Sequence, residues 1–443
     1  MKITFVEVRN VDTLSVKHKL EWWFYYGMAR RIESMNFYPR SGNFDLEEYL
    51  STFLFRTGGW IQALSPHLQD FDQEVVWYTG HEKLEEILND DQRLILLSIS
   101  EAIGYPVAKQ FIHECRQHFP QHPIWVGGLY PSSCPDIVAK ELKPDLLFVG
   151  EADSQIHELV STHVEGRTIS NRIVAIHCTE NDLRQDWTLS FKYSAPLNRR
   201  VPLVLTSRDC VFDCAFCSII KKGAMREYNL AELETTFDQL LNQLDDIKIV
   251  FESPLPLASE KWIRHLTELL GKRKVNWYCD SRVLVPNVRT QLMFEQLYSA
   301  GCRDIYFGTE TFDQSVHDRM GKGIQVKNIV PFAKQARKAG INVQTGWIVG
   351  FPGQTIESAR RDVDLITENL AADVFSTADY TYLTVFPNTR LYNEPQNFGI
   401  ELVDWNLVNM SQRPVHRTSE LSAEQIWDLY LEGLQRVGNA QNF

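Results

Sequence analysis

The sequence predicts an α/β protein with an N-terminal doubly wound Rossmann-like domain followed by a partial (β/α)6 barrel of the TIM type. Two observations predict this fold. Up to about residue 185, short β-rich runs alternate with amphipathic stretches, and from about residue 192 six further β-rich runs are each followed by a helical stretch. Near-continuous apolar runs of this kind are typical of strands that are buried on both faces of a parallel sheet.

The first domain is assigned residues 1–185, with helices predicted at 82–88, 107–119 and 135–142. Its strands are predicted at residues 3–8, 74–78, 94–99, 124–126 and 146–149. An aromatic-rich segment at about residues 20–59 interrupts the pattern. This segment is predicted either to pack on the sheet as a helical insert or to form a peptide-docking surface.

The second domain is assigned residues 192–400 and is followed by a helical tail at 401–443. Its strands are predicted at residues 201–205, 247–251, 275–279, 304–307, 343–349 and 380–386. Six β/α units are fewer than the eight of a complete barrel, so an open barrel is expected, with functional groups at the carboxyl ends of its strands. In the tail, Ser422 and Gln425 have the spacing of a capping box at the start of a helix.

Three cysteines lie in one loop after the first strand of the second domain. Cys210, Cys214 and Cys217 have Cys-x3-Cys-x2-Cys spacing, and thiolates this close together select zinc, copper or an iron–sulfur cluster. A closed zinc site needs a fourth ligand. Because no other Cys or His lies between Cys178 and His265, the incomplete ligand set favours a [4Fe-4S] cluster with one iron free of protein ligands.

This loop resembles the signature of the radical S-adenosylmethionine (SAM) superfamily, including Phe216 before the last cysteine. The ends of the later strands are also similar to that family, notably Gly308-Thr-Glu310 on strand four and residues 350–355 after strand five. The resemblance implies that the three cysteines bind a [4Fe-4S] cluster and that its open iron chelates the amino and carboxylate groups of SAM. The residues expected to bind the cofactor are Phe216, Glu252, Ser253, Arg282, Gly308, Glu310 and Phe351.

The same resemblance implies a role for most of these residues. Phe216 is expected beside the adenine, Gly308 and Glu310 along the ribose and methionine, and Glu252 and Ser253 at the SAM amino group. Arg282 is a candidate partner for the SAM carboxylate through its bidentate guanidinium, and Glu310 and Arg282 are assigned as catalytic. The structural alternatives are that Glu310 caps the next helix and that Arg282 forms a surface ion pair.

The first domain looks like the cobalamin-binding-type domain that often precedes a radical SAM domain. The likeness depends on its α/β alternation and on the turns at Gly127-Gly128 and Gly150, where glycine allows close approach of a ligand or a neighbouring element. Some members bind cobalamin through a His in Asp-x-His-x-x-Gly. Neither His67 nor His81 has this context, so the resemblance implies the shape of the domain and leaves cobalamin open as a cofactor.

Three reactions remain open, and the first is the main prediction. A ribosomal-peptide maturase of the splicease type would excise a tyramine unit from a precursor peptide, leave an α-keto-β-amino acid, and act with a small leader-peptide-binding partner protein. The first alternative is a cobalamin-dependent radical SAM methyltransferase. The second is a peptide epimerase, which needs a late hydrogen donor, whereas Cys279 and Cys302 come early. Since no cysteine follows Cys302, one cluster is expected.

The composition limits the partners. Lys and Arg total 45 against 57 for Asp and Glu, a net charge of −12, which argues against nucleic acid and anionic membranes. The N-terminus has no secretion signal and the chain has no apolar run of membrane-spanning length, so a cytoplasmic protein is expected, reduced by a flavodoxin- or ferredoxin-type electron donor. Buried thiols are predicted for the remaining cysteines, Cys115, Cys134, Cys178, Cys279 and Cys302.

Overall fold

Two parallel sheets form the framework of the chain. The structure is a computed structural model and describes residues 1–8, 59–88, 92–100, 104–170, 172–194, 202–219, 225–243, 247–251, 253, 260–402 and 414–441. The described residues within 1–15, 45–200 and 226–245 form one compact unit, and those within 201–225 and 246–443 form the other. The predicted aromatic insert lies outside the described residues except for its last residue, and the domain limits drawn from the sequence stay predictions.

The sheet of the first unit has six parallel strands in the order β2-β1-β3-β4-β5-β6. These strands are β1 Lys2–Val8, β2 Asp72–Tyr78, β3 Arg93–Ser98, β4 Ile124–Gly127, β5 Leu146–Gly150 and β6 Ile173–Ile176. Phe5 and Val6, neighbours on β1, belong to two different apolar clusters because successive strand side chains point to opposite faces. Both faces are therefore buried, which confirms the predicted doubly wound domain.

Helices of the first unit lie between these strands in the chain or follow the last of them. They are α1 Gly59–Leu64, α2 Leu84–Ile87, α3 Tyr105–His118, α4 Leu129–Ser133, α5 Pro135–Leu142, α6 Ile156–Val164, α7 Thr188–Tyr193 and α8 Leu230–Gln243. Short 3-10 helices occupy Ser65–Leu68 and Glu180–Asp182. The segment after the last strand of this sheet, residues 179–187, contains a turn of helix that begins at a capping box formed by Thr179 and Asp182.

The two glycine turns at the carboxyl edge of this sheet are required by neighbouring backbone. Gly128 has a φ of 109°, and a Cβ there would lie 2.7 Å from the carbonyl oxygen of Ile99. Gly150 has a φ of 98°, and a Cβ there would overlap the carbonyl oxygen of Ile176. Close strand-to-strand approach therefore explains both glycines without a ligand.

The sheet of the second unit has six parallel strands that pair in chain order, from β7 to β12. These strands are β7 Leu203–Val204, β8 Lys248–Phe251, β9 Asn276–Ser281, β10 Cys302–Glu310, β11 Asn342–Val349 and β12 Thr377–Tyr382. Sequential parallel pairing with a helix after each strand is the arrangement of a barrel, and six strands make it a partial one. The partial barrel that the sequence predicts is confirmed.

Helices of the second unit follow the strands in turn. They are α9 Glu260–Gly271, α10 Val288–Ser299, α11 Gln314–Met320, α12 Ile329–Lys338, α13 Ile356–Ala371, α14 Arg390–Asn393, α15 Pro395–Phe398 and α16 Ala423–Ala440. A 3-10 turn occupies Val326–Asn328, and two-residue strands occur at Ser207–Arg208, Arg226–Glu227, Glu401–Leu402 and His416–Arg417. Of the helices described here, none is long and apolar enough to cross a lipid bilayer.

The tail helix α16 covers the edge strand of the partial barrel. It packs against α13 and β12 and begins at the predicted capping box, in which Ser422 Oγ accepts from Gln425 N at 3.1 Å and Gln425 Oε1 accepts from Ser422 N at 2.8 Å. The close packing depends on Gly433, because a Cβ at that position would overlap the ring of Tyr380 on β12.

Candidate active site

The cysteine loop begins at the carboxyl end of β7, and Ser253 holds its first residues. Ser253 lies just after β8, and its hydroxyl accepts hydrogen bonds from Thr206 N at 2.8 Å and Ser207 N at 3.1 Å. The Thr206 hydroxyl is 2.9 Å from the same oxygen. These contacts use the hydrogen-bonding capacity of the Ser253 hydroxyl, so its contact with the SAM amino group stays a prediction.

The centre of the loop is fixed by Ala215, which is fully buried. Its N–H donates to the carbonyl of Met320 at 2.8 Å, and its carbonyl accepts from Leu391 N at 3.2 Å. The apolar cluster around Ala215 includes both of these residues and Phe351. The loop between the second and third cysteines is therefore clamped between the end of α11 and the start of α14.

The three cysteines of the loop are free thiols that differ in exposure. Cys214 is buried, and Cys210 and Cys217 are half-buried. Burial raises the pKa of the Cys214 thiol, and the positive charges of Lys322 and Arg282 act in the opposite direction. These cations would stabilise the thiolate, which is the form that binds a metal.

The loop does not have the geometry of a single-ion site. Among the described residues, no three His, Cys, Asp or Glu side chains lie close enough to hold one metal ion. Four sulfurs around one zinc ion lie about 3.8 Å apart, given Zn–S bonds of about 2.3 Å. In a [4Fe-4S] cluster each cysteine binds a different iron, so a cluster does not require the three sulfurs to surround one ion.

Arg282, at the end of β9, contacts the cysteine loop directly. Its guanidinium carbon lies 3.4 Å from the ring centroid of Phe212, which stands between the first two cysteines. Arg282 Nη2 also donates to the carbonyl of Lys322, and the residue is 8% exposed. Burial lowers the pKa of Arg282, while the neighbouring sulfurs of Cys214 and Cys210 act in the opposite direction. The alternative of a surface ion pair is therefore wrong, and the predicted bond to the SAM carboxylate stays a prediction.

Glu310 ends β10 in a strained conformation. Its φ is +63°, in the left-handed region that non-glycine residues rarely adopt, and the pairing of β10 with β11 is irregular between Gly308 and Glu310. Such a conformation costs about 1–3 kcal/mol and persists only where the surroundings impose it. Backbone strain of this kind concentrates at functional sites, and here it holds the predicted SAM-binding carboxylate.

Both neighbours of Glu310 are anchored. The hydroxyl of Thr309 donates to the carbonyl of Gly346 at 2.7 Å, and the hydroxyl of Thr311 donates to Asp362 Oδ2 at 2.6 Å. Asp362, buried on α13, also accepts from Phe312 N at 2.9 Å and from Gln354 Nε2 at 3.1 Å. The carboxylate of Asp362 thereby ties the ends of β10 and β11 together and supports the strained residue.

Lys322 and Glu310 form an ion pair at the edge of the site. Lys322 Nζ lies 2.8 Å from Glu310 Oε1, and the two side chains are 12% and 10% exposed. Burial opposes the charge of Lys322, but the Glu310 carboxylate and Cys214 outweigh it and raise the pKa of Lys322. A Cβ at Gly308 would lie 2.7 Å from Glu310 Oε1 and 2.9 Å from Lys322 Nζ, so a side chain at this position would displace both charged groups of the cradle.

The aromatic residues of the site contact each other. The rings of Phe216 and Phe351 meet edge to face with centroids 5.3 Å apart, and Lys322 Nζ lies 5.6 Å from the Phe216 centroid. Phe351 is fully buried, whereas Phe216 is half-buried. Phe351 therefore packs against Phe216, which is the more exposed ring of the pair and the one that the sequence predicts beside the adenine.

The structure brings most of the predicted site residues together. The cysteine loop, Arg282, Gly308, Glu310, Phe216 and Phe351 are joined by the contacts above, whereas Glu252 lies outside the described residues. Sequence reasoning missed Phe212, Lys322 and Asp362. The available sequence signal for Lys322 was its position between two glycines, Gly321 and Gly323, after the helix that follows β10. In the structure both glycines have positive φ.

Comparison with known protein families assigns the class of this site. Residues 204–366, less than half of the chain, match the sequence profile of the Radical SAM superfamily. The match runs from the first barrel strand into α13 and includes the three cysteines, Arg282, Glu310 and Lys322.

Individual relatives extend the likeness beyond that domain. An uncharacterized methyltransferase from Pyrococcus horikoshii is 26% identical over 332 residues, which are 68% of this chain and 69% of that protein. The radical SAM methyltransferase TsrM from Kitasatospora setae, solved with tryptophan and a SAM analog, has a TM-score of 0.66 at 15% identity and covers 86% of each chain. The cobalamin-dependent SAM radical enzyme OxsB, solved with aqua-cobalamin and SAM, has a TM-score of 0.69 at 15% identity over 97% of this chain and 65% of its own.

Proposed function

We propose that this chain is a cobalamin-dependent radical SAM enzyme whose reaction is methyl transfer. The main support is that the fold likeness extends over both units, both to the cobalamin-dependent SAM radical enzyme OxsB and to the methyltransferase TsrM, which has also been solved with cobalamin and a [4Fe-4S] cluster bound. The relative from Pyrococcus horikoshii, which bears a methyltransferase name, supports the same reaction.

The residues of the second unit fit the cofactors that a radical SAM domain uses. Cys210, Cys214 and Cys217 would hold a [4Fe-4S] cluster, and the cradle over Gly308 offers Glu310 and Lys322 to the amino acid end of SAM. A cluster of this kind supplies the electron that cleaves SAM, and a bound cobalamin supplies a methyl carrier. The chain itself binds, orients and shields: Phe216 offers an aromatic face, and Asp362 fixes the strand ends that carry the cradle.

The first unit supports cobalamin through its topology. In a sheet of order 2-1-3-4-5-6 the chain reverses its winding between β1 and β3, and ligands of such folds bind outside the carboxyl ends of the strands at that point. The residues that follow β1, and residues 101–103 after β3, lie outside the described part of the chain. Because the described glycines of this edge serve strand packing, the case for cobalamin depends on strand order and on the fold likeness.

The comparisons favour methyl transfer over the main sequence prediction. None of the relatives reported above bears a name that refers to peptide splicing or epimerisation. The precursor peptide, the leader-binding partner protein and the flavodoxin- or ferredoxin-type donor stay predictions from the sequence. The methylation substrate need not be known for a test, because the first half of the reaction leaves its own product.

The experiment measures both fates of SAM in one sample. Protein reconstituted anaerobically with iron and sulfide is reduced and incubated with methyl-deuterated SAM, with and without hydroxocobalamin. Mass spectrometry then quantifies S-adenosylhomocysteine, which reports methyl transfer, and 5′-deoxyadenosine, which reports reductive cleavage. The proposal predicts S-adenosylhomocysteine that depends on added cobalamin.

Two outcomes would contradict the proposal in different ways. If S-adenosylhomocysteine is absent while 5′-deoxyadenosine accumulates whether or not cobalamin is present, the chain uses radical chemistry without methyl transfer, and the peptide-modifying prediction gains ground. If the protein shows no cobalamin absorption after gel filtration, the cobalamin assignment is wrong. The Cys214→Ala variant is the matched control, because it removes the buried thiol of the loop and leaves the first unit unchanged.

A further inference from the structure

Two cations flank the cysteine loop from the barrel side. Arg282 reaches it from the end of β9, and Lys322 reaches it from the segment after α11. Both are electrostatic neighbours of the loop thiols: Arg282 of Cys210 and Cys214, and Lys322 of Cys214. The sequence resemblance assigns Arg282 to the SAM carboxylate and gives Lys322 no role.

Geometry fixes each cation independently of any ligand. The Arg282 guanidinium lies 3.4 Å from the Phe212 ring centroid and donates to the carbonyl of Lys322. The stacking places the guanidinium against the loop segment between Cys210 and Cys214. The hydrogen bond uses one of its N–H groups on the backbone of Lys322. The guanidinium therefore acts on the loop whether or not SAM is bound.

Lys322 is fixed by its own partners. Its ammonium contacts Glu310 Oε1 at 2.8 Å and lies 5.6 Å from the ring centroid of Phe216, the residue before the third cysteine. Its segment is attached to the loop through the hydrogen bond from Ala215 N to the carbonyl of Met320. Glu310 offsets part of the positive charge of Lys322, so Lys322 lies beside the loop as one half of an ion pair.

From this arrangement we infer that Arg282 and Lys322 are positioning residues that set the reduction potential of the cluster held by the three cysteines. Three thiolates give such a cluster a net negative charge, and one-electron reduction by an external low-potential donor increases it. Nearby cations stabilise the more negative state, and potentials of iron–sulfur clusters respond to charge and exposure in this way. The inference rests on the proposed function, because it needs the cluster.

The test is a redox titration of reconstituted protein without SAM, followed by electron paramagnetic resonance, with titanium(III) citrate as reductant. Arg282→Met and Lys322→Met each remove one positive charge, and each is expected to shift the reduction equilibrium toward the oxidised cluster by about tenfold, which is 59 mV for one electron. The charge-conserving variants Arg282→Lys and Lys322→Arg are expected to shift it by less than about threefold.

A third variant is predicted to shift the reduction potential in a direction that a purely structural role would not produce. Glu310→Gln removes the carboxylate that offsets Lys322, so the account predicts a shift in the opposite direction, toward the reduced cluster. Potentials do not depend on occupancy, so variants with less iron are compared directly. If Arg282→Met keeps no cluster, the Lys322 and Glu310 variants decide the question.

The outcomes separate this inference from the proposed function. A wild-type protein that binds no [4Fe-4S] cluster overturns the proposed function itself. If the wild type binds the cluster but Lys322→Met leaves its reduction potential unchanged, the inference alone is overturned. The same holds if Lys322→Met and Glu310→Gln shift the potential in the same direction.

Discussion

The ammonium of Lys322 and the carboxylate of Glu310 lie 2.8 Å apart, and the two side chains are only 12% and 10% exposed. Glu310 has a φ of +63°, so a strained strand end and a buried cation, Lys322, meet at one point. Breaking a buried ion pair leaves an uncompensated charge, which is costly even where the pair as a whole adds little stability.

A double-mutant cycle on this pair is therefore predicted to be strongly non-additive. Lys322→Met alone is expected to lower the free energy of unfolding by about 3 kcal/mol, because Glu310 is left buried and unpaired. The Lys322→Met/Glu310→Gln double variant is expected to lose only about 1 kcal/mol. Urea denaturation of the apoprotein measures these two variants and the Glu310→Gln single variant, and additive losses would show that the two charges do not interact.

Gly308→Ala is predicted to weaken SAM binding by about tenfold, which is about 1.4 kcal/mol. Its Cβ would stand 2.7 Å from Glu310 Oε1 and 2.9 Å from Lys322 Nζ and would push both groups out of the cradle. Equilibrium dialysis of reconstituted protein with labelled SAM measures the change. Gly271→Ala is the control, since its Cβ would meet its nearest neighbour at 3.8 Å, an ordinary contact. Equal affinities for both variants would contradict the cradle.

Two glycines of the tail helix α16 are predicted to respond in opposite ways to the same substitution. Gly433→Ala is expected to lower the free energy of unfolding by about 2 kcal/mol, because the methyl group would overlap the Tyr380 ring. Gly438→Ala is expected to raise it by about 0.5–1 kcal/mol, because a Cβ there meets nothing within 4 Å and alanine favours the helix. Urea midpoints of the two variants measure these changes. Similar losses of stability in both variants would argue against the packing of α16 on β12.

Acid is predicted to destabilise the second unit partly through His416. Burial lowers the pKa of His416 to about 4, and its Nε2 lies 3.1 Å from the carbonyl oxygen of Gly350. The pKa of an unfolded histidine is near 6.5, so as the pH falls the unfolded state takes up the proton before the folded state does. The contribution of the neutral His416 to stability is therefore complete above about pH 6.5 and is lost as the pH falls toward 4.

The measurement compares urea midpoints of wild type and His416→Gln at pH 7.5 and pH 5. The variant is expected to be less stable than wild type at pH 7.5 and to lose less stability between the two values. His81→Gln, which removes an exposed imidazole, controls for the loss of a histidine. A pH dependence as steep in His416→Gln as in wild type would exclude the buried imidazole as a source.

The fold could be predicted from the sequence because its strands are buried on both faces. Continuous apolar runs mark several of the strands, as Leu94–Leu97 does on β3, and glycine or proline marks turns between them. The predicted limits failed where a strand end depends on tertiary contacts. The sequence predicts strand four at residues 304–307, whereas β10 extends to Glu310, because Thr309 and Thr311 are held by Gly346 and Asp362.

The site could be predicted where its residues are close in sequence or share a strand end. The spacing of Cys210, Cys214 and Cys217 predicts a metal- or cluster-binding loop, and Gly308 precedes Glu310 by two residues. Lys322 and Phe212 could not be found this way, because their roles arise from contacts across 12 and 70 positions, with Glu310 and Arg282 respectively. Arg282 was singled out for its guanidinium, but a sequence cannot show that this group stacks on the cysteine loop.

The most direct test of the account is the cofactor content and SAM cleavage of the purified, anaerobically reconstituted protein. The wild type is expected to hold about four iron ions and matching sulfide and to form 5′-deoxyadenosine from SAM under reduction. Cys210→Ala, Cys214→Ala and Cys217→Ala are each expected to abolish that product. A tetrahedral zinc ion in the loop by X-ray absorption, or 5′-deoxyadenosine formed by any of the three variants, would contradict the account.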